Sequence, residues 1–93
     1  MKYKIERTNK FVKQYAKMLK QKEFKEEEFI NVLKMLSNNE ILPQKYKNHL
    51  LNPKKSGIWE CHVQNDVLLE YKKNDNTLIL LLLDIGTHSD LFK

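Results

Sequence analysis

The apolar run at residues 77–83 constrains the fold more than any other segment of this 93-residue chain. Its leucines and isoleucine occupy both alternating faces, which is the pattern of a central strand covered on both sides. The run is far too short to cross a bilayer, which takes about 20 apolar residues in a helix. The opening residues Met1 to Lys4 show no apolar signal segment. The sequence therefore predicts a sheet built around residues 77–83, with no membrane association.

Three other segments have the two-residue alternation of half-buried strands. They are residues 2–7, 58–63 and 68–72. Polar clusters at 64–66 and 74–76 predict turns between the later strands, and Gly86 is expected to turn the chain away after the last one. In the segment after Ile58, Trp59 and Cys61 should face one way, and His62 the other.

Two amphipathic helices are predicted between the first and second strands. The first follows a cap at Thr8 or Asn9, and the second starts with acidic residues and ends at residues 37–39. Their apolar stripes are Phe11, Tyr15, Met18 and Leu19, and then Phe29, Ile30, Leu33 and Leu36. Together these elements predict one α+β domain over residues 1–93: a small, mostly antiparallel sheet in the order β-α-α-β-β-β, with a helical hairpin packed on one face.

The chain is basic, with 17 Lys and Arg against 12 Asp and Glu and a net charge of +5. This balance favours polyanionic partners such as RNA. Four lysines stand out because they lie in the poorly patterned connection at residues 40–57, a kind of segment that often carries function. They are Lys45, Lys47, Lys54 and Lys55. The single cysteine, Cys61, cannot form an internal disulfide, and the expected compartment is the cytoplasm.

The three histidines are the residues with the clearest chemical potential. His49 lies in the basic connection, His62 on the polar side of a strand, and His88 just after the Gly-Thr turn, while Asp66 occupies an adjacent turn. RNA cleavage needs a base for the ribose 2′-OH, an acid for the departing 5′ oxygen and a group that stabilises the charged phosphorane. Histidine can serve each of these roles near neutral pH.

Two rival chemistries are less favoured by the pattern. A zinc site could use the three histidines and Asp66, but no pair of them has the short ligand spacing of a helix-borne site. Cys61 as a nucleophile is disfavoured because strand alternation sends it toward the core, where a thiol is usually inert. No metal or other cofactor is therefore expected.

Three segments together resemble the RelE/YafQ-type toxins of bacterial type II toxin–antitoxin systems, and the YafQ branch in particular. They are Leu-Pro-Gln-Lys-Tyr-Lys-Asn-His-Leu at 42–50, Glu-Cys-His-Val at 60–63 and Gly-Thr-His-Ser-Asp-Leu-Phe at 86–92. Each motif is weak alone, but their order and spacing run the length of the chain.

The resemblance implies a RelE-like fold and a ribosome-dependent mRNA endonuclease. It implies a cognate antitoxin of RelB or DinJ type as partner, with operator DNA bound only through the toxin–antitoxin complex. It also implies the catalytic set His49, His62, Asp66, His88 and Phe92. The four lysines named above are expected to hold the RNA backbone.

This chain departs from the family pattern at two positions where arginine is common. Asp84 stands two residues before Gly-Thr-His, and Trp59 stands before Glu-Cys-His. Loss of a stabilising cation typically costs ~10²–10³ in rate. We therefore treat Asp84 as a site-tuning residue and hypothesise that it hydrogen-bonds a histidine and holds it protonated. Two alternatives stay open: a weakened member acting as an antitoxin-binding co-repressor, and a gyrase-directed toxin, which would need no proton-transfer cluster.

Overall fold

A computed structural model describes residues 2–51 and 57–91 of the chain. The elements run in the order β1 (Lys4–Arg7), α1 (Asn9–Leu19), α2 (Glu26–Ser37), a 3-10 helix (Gln44–Tyr46), β2 (His49–Leu50), β3 (Trp59–Gln64), β4 (Val67–Asn74), β5 (Ile79–Gly86) and α3 (His88–Leu91). In the described ranges the strands form one five-stranded sheet in the order β1-β5-β4-β3-β2. β1 runs parallel to β5, and the other neighbouring strands are antiparallel.

Helices α1 and α2 cover one face of the sheet and form the core with it. α1 packs on β5 and α2 on β3, while the rings of Phe11 and Phe29 join the two helices with centroids 6.0 Å apart. Val32 is fully buried, whereas Ile30 of the predicted stripe is 37% exposed. The predicted α+β architecture with a helical hairpin on one face is confirmed. The buried stripe of α2 differs from the predicted one, because it includes Val32 in place of Ile30.

Thr8 fixes where β1 ends and α1 begins. Its hydroxyl oxygen accepts a hydrogen bond from the Phe11 N–H at 3.0 Å, which is the capping role predicted for it. The same hydroxyl donates to the Leu83 carbonyl oxygen at 2.8 Å. A single side chain therefore caps α1 and attaches its start to β5.

The prediction that the apolar run is covered on both faces is wrong. β5 extends further, to Gly86, and only its helix side is closed: Leu80 and Leu82 are buried, whereas Leu81 and Leu83 are half-buried. The reason is that α1 and α2 both lie on the same side of the sheet. We call the opposite side the open face.

The described part of the basic connection, up to residue 51, has more regular structure than its sequence pattern predicts. It contains the 3-10 helix and the two-residue strand β2, whose His49 pairs with Glu60 of β3. Two residues cannot show an alternation, so β2 has no detectable sequence signature. A further difference is that His88, predicted to follow the Gly-Thr turn without regular structure, begins helix α3. Within the described residues, no helix is long and apolar enough to span a membrane.

Candidate active site

His62, His88 and Asp66 form the centre of the candidate site. The two imidazole rings meet edge to face, with centroids 5.7 Å apart and an interplanar angle of 64°. The Nδ1 atom of His88 lies 2.6 Å from the Oδ1 atom of Asp66, and the His88 backbone N–H donates to the same oxygen at 3.2 Å. The structure therefore brings together three of the residues that the resemblance implies as a catalytic set.

The sheet explains why residues 22 positions apart in sequence come together. Leu68 pairs with Gly86 across β4 and β5, so the turn before β4 adjoins the start of α3. Asp66 occupies that turn with a left-handed backbone, at φ 57°. Aspartate tolerates this region better than most residues, because its short polar side chain can bond locally.

Asp90 holds the start of α3 in place below His88. Its Oδ2 atom accepts from the Thr87 N–H at 3.0 Å and from the Thr87 hydroxyl at 3.1 Å. These contacts lower the pKa of Asp90, the backbone hydrogen bond from Thr87 having the largest effect. A Cβ atom on Gly86 would lie 2.8 Å from the Asp90 Cβ, so this junction requires glycine.

The pKa values of His62 and Asp66 are both lowered, but by different causes. Desolvation lowers the pKa of His62, and the positive charge of Lys47 lowers it further, partly offset by Glu60. The hydrogen bonds from His88 lower the pKa of Asp66, first from the ring and then from the backbone. Neutral pH therefore leaves His62 able to accept a proton and keeps Asp66 as a carboxylate.

His49 belongs to a second group on the same face. Its Nδ1 atom lies 2.7 Å from the Lys47 carbonyl oxygen, which can only accept, so this nitrogen carries a hydrogen. Its Nε2 atom lies 3.4 Å from Oε1 of Glu60. The charge of His49 also acts on His62, although it is the weakest of the influences on that ring.

Glu60 is a site residue that the sequence reasoning did not identify. The residue is only 4% exposed, and its Oε2 atom is buried without a hydrogen-bond partner among the described residues. Such an atom is costly to bury and calls for a functional explanation. Strand alternation places Glu60 on the face of His62, and that signal could have identified it.

The predicted RNA-binding lysines are described only in part. The positive charge of Lys47 acts on His62 and lowers its pKa. The Lys45 ammonium lies over the Tyr46 ring, 4.9 Å from its centroid. Lys54, Lys55 and the predicted catalytic Phe92 lie outside the described residues.

The hypothesis that Asp84 bonds a histidine is wrong. Asp84 is 3% exposed, pairs with Lys10 at 3.1 Å and accepts the Ile85 N–H at 2.9 Å. The first turn of α1 brings Lys10 over the end of β5, so the carboxylate is neutralised there, and Asp66 is the partner of His88 instead. Trp59 faces the core, where it packs half-buried against the main apolar cluster.

The two rival chemistries, a Cys61 nucleophile and a metal site, have little support in the described residues. Cys61 is fully buried, and desolvation raises the pKa of its thiol to about 12, so it is no nucleophile at neutral pH. In residues 2–51 and 57–91, no group of at least three His, Cys, Asp or Glu side chains is arranged to hold a metal ion.

Comparison with known proteins agrees with this architecture. Residues 3–93 match the family described as YafQ, the bacterial toxin of a type II toxin–antitoxin system. A toxin from the Escherichia coli DinJ–YafQ toxin–antitoxin complex is 29% identical, with a TM-score of 0.88 and 100% coverage of both chains. A metal-bound toxin from Helicobacter pylori is 33% identical, with a TM-score of 0.88, covering 99% of this chain and 100% of that one. No curated protein sequence matches.

The fold is that of the RelE-like toxins. The chain belongs to the YafQ family of bacterial type II toxins, because the family match spans nearly its whole length.

Proposed function

We propose that this toxin is a ribosome-dependent mRNA endonuclease that works by metal-independent acid–base catalysis. The observation that carries the proposal is the contact between His62 and His88, with Asp66 orienting His88 through Nδ1. Two imidazoles whose rings touch on an open sheet face can serve the two proton transfers of RNA cleavage.

His62 is the proposed base because its lowered pKa favours the neutral ring. It takes the proton of the ribose 2′-OH as that oxygen attacks the adjacent phosphorus. The bond from phosphorus to the 5′ oxygen breaks, His88 gives a proton to that oxygen, and a 2′,3′-cyclic phosphate remains. The protein thus needs no external reactant for this step.

Charge stabilisation of the phosphorane is assigned to Lys47 and His49. Lys47 already acts on the His62 ring, and the Lys47 carbonyl oxygen fixes the orientation of the His49 ring by accepting its Nδ1–H. Because Asp84 is neutralised by Lys10, the anion at the usual arginine position does not oppose the phosphate. This pairing favours an active nuclease over the co-repressor alternative.

The test is cleavage of an mRNA during translation in a purified system, mapped by primer extension. The wild-type protein should cut only translated message, and His62→Gln and His88→Ala should each lower the rate ~10²–10⁴-fold. Lys20→Gln, at an exposed position just after α1, is the matched control and should cut normally. If correctly folded wild-type protein cut no message, the nuclease proposal would be refuted and the co-repressor role would replace it.

We further propose a DinJ-type antitoxin as the partner, with operator DNA contacted only through the complex, and the cytoplasm as the site of action. The support is the relative from Escherichia coli, whose structure is a DinJ–YafQ complex. Co-expression with the product of an adjacent small reading frame should yield a complex in which mRNA cleavage is suppressed.

A further inference from the structure

A cavity adjoins the candidate site and shares His62 and Lys47 with it, while its other lining residues have no part in the chemistry above. It has a volume of about 190 Å³ and lies beside His62, between the start of α2 and the 3-10 helix. Three lysines line it together with Glu28 and Tyr46. They are Lys25, Lys45 and Lys47.

Glu28 is the unexpected member of this lining. Its Oε1 atom accepts a hydrogen bond from the Tyr46 hydroxyl at 3.2 Å, but no lysine forms an ion pair with it among the described residues. A carboxylate would repel an RNA phosphate. Beside the proposed cleavage site, this carboxylate suits hydrogen-bond donors instead, which in RNA are on the bases and the 2′-hydroxyls.

We propose that this cavity receives one base of the RNA, next to the scissile phosphate, and that Glu28 selects guanine. Guanine is the base whose Watson–Crick edge offers two parallel donors, N1–H and the N2 amino group, to the two oxygens of a carboxylate. A carboxylate has about four acceptor positions, so the bond from Tyr46 leaves room for both. The inference rests on the proposed nuclease function and gives its site a base preference.

The surroundings suit a planar base with phosphates on either side. Tyr46 is buried beneath the cavity and fixed through its hydroxyl, while the lysines provide ammonium groups for the flanking backbone. The lysines and Glu28 thus bind different parts of the RNA: the lysines bind the phosphates, and Glu28 binds the edge of the base.

Gln64 keeps the cavity in shape. Its Oε1 atom accepts from the Lys25 N–H at 2.7 Å, and its Nε2 atom donates to the Glu23 carbonyl oxygen at 2.8 Å. The end of β3 is thereby attached to the start of α2, in addition to the packing of α2 on β3. A pocket formed in advance in this way loses less free energy on binding.

The decisive experiment compares Glu28→Gln with Glu27→Gln, its exposed neighbour in the same helical turn. Cleavage sites are mapped by sequencing on a set of translated mRNAs. The wild-type protein and Glu27→Gln should enrich guanine at one fixed position beside the cut, and Glu28→Gln should reduce that enrichment about tenfold. Glutamine still accepts the Tyr46 hydrogen bond, so the variant is expected to fold.

A second measurement needs no cleavage. Guanosine 3′-monophosphate and adenosine 3′-monophosphate are titrated into the isolated toxin while the amide signals of Gln64 and Asn65 are followed by NMR. Guanosine monophosphate should bind more tightly to the wild type and lose that advantage in Glu28→Gln. Equal responses to the two nucleotides, or an unchanged guanine preference in Glu28→Gln, would overturn the base pocket while leaving the nuclease proposal intact. Failure of the wild type to cut any message would count against the nuclease alone.

Discussion

At the scale of single residues, Lys47 links the two parts of the site through its backbone and its charge. Its backbone is left-handed, at φ 48°, a region that non-glycine residues enter at some cost in free energy. This conformation ends the 3-10 helix, with the Lys47 N–H donating to the Gln44 carbonyl at 2.9 Å. Its own carbonyl orients His49, and its charge lowers the pKa of His62.

Lys47→Gln is expected to raise the pKa of His62. Removing the positive charge makes protonation of the ring easier, so the acid limb of the pH–rate profile should move to higher pH. NMR titration of the His62 ring measures the shift directly. Lys45→Gln is the control, because the charges that shift the pKa of His62 are those of Lys47, Glu60, His88 and His49. An unmoved His62 titration in Lys47→Gln would refute the coupling.

Asp66→Asn is expected to lower the cleavage rate ~10²–10⁴-fold, because the amide no longer holds His88 as a charged acceptor does. Rates are measured on a translated message with protein verified to be folded. If Asp66 works through His88, the double variant Asp66→Asn with His88→Ala should be no slower than His88→Ala alone. Additive losses would show an independent role for Asp66.

At the scale of elements, a few polar contacts fix the start of α1 on the sheet, in addition to the apolar packing of the helix on β5. Thr8 caps the helix and bonds the Leu83 carbonyl, and Lys10, two residues further on, forms an ion pair with Asp84. These contacts are close to the bulge in β5, where Glu70 pairs with Asp84 but Tyr71 pairs with Leu82. The helix therefore begins at the irregular point of the strand on which it packs.

Thr8→Ala should lower the free energy of unfolding by about 1–2 kcal/mol, because it removes the cap and leaves the Leu83 carbonyl without its partner. Urea denaturation monitored by circular dichroism gives the value. Thr77→Ala, an exposed threonine in the turn before β5, should change it by less than about 0.5 kcal/mol. Equal effects of the two substitutions would contradict the assigned role of Thr8.

Elements with a long apolar pattern were predicted correctly from the sequence. Elements and contacts that depend on residues far apart in the chain were not. Helices α1 and α2 and strands β3 and β4 follow directly from apolar periodicity. β2 was missed because two residues carry no period, and its pairing is determined by Glu60 on another strand. The cluster of His62, Asp66 and His88 was predicted by resemblance, but the ion pair of Asp84 with Lys10 depends on the angle at which α1 crosses β5, which no local pattern encodes.

At the scale of the whole molecule, acid should weaken the fold through two carboxylates near α3. The pKa values of Asp66 and Asp90 are both lowered, by hydrogen bonds from His88 and Thr87 respectively. A carboxylate with a depressed pKa in the folded state stabilises it above the unfolded-state pKa, about 3.9 for Asp, and loses that contribution as pH falls through the folded value.

The melting temperature should therefore decline as the pH is lowered below about 4, and the decline should be shallower in Asp90→Asn. Differential scanning calorimetry over a pH series provides the measurement. The same slope in Asp90→Asn and in the wild type would show that this carboxylate is not responsible.

Because β1 pairs with β5, the last strand of the chain, the sheet can form only late in the synthesis of the protein. The bond from Thr8 to Leu83 joins positions 75 apart, so β1 and α1 have no strand to pack on until β5 has left the ribosome. Contacts between such distant positions form late in folding. His88 follows β5 directly and emerges with it. We therefore expect a growing chain to remain unfolded until β5 emerges, so that the cluster of His62, Asp66 and His88 forms only at the end of synthesis.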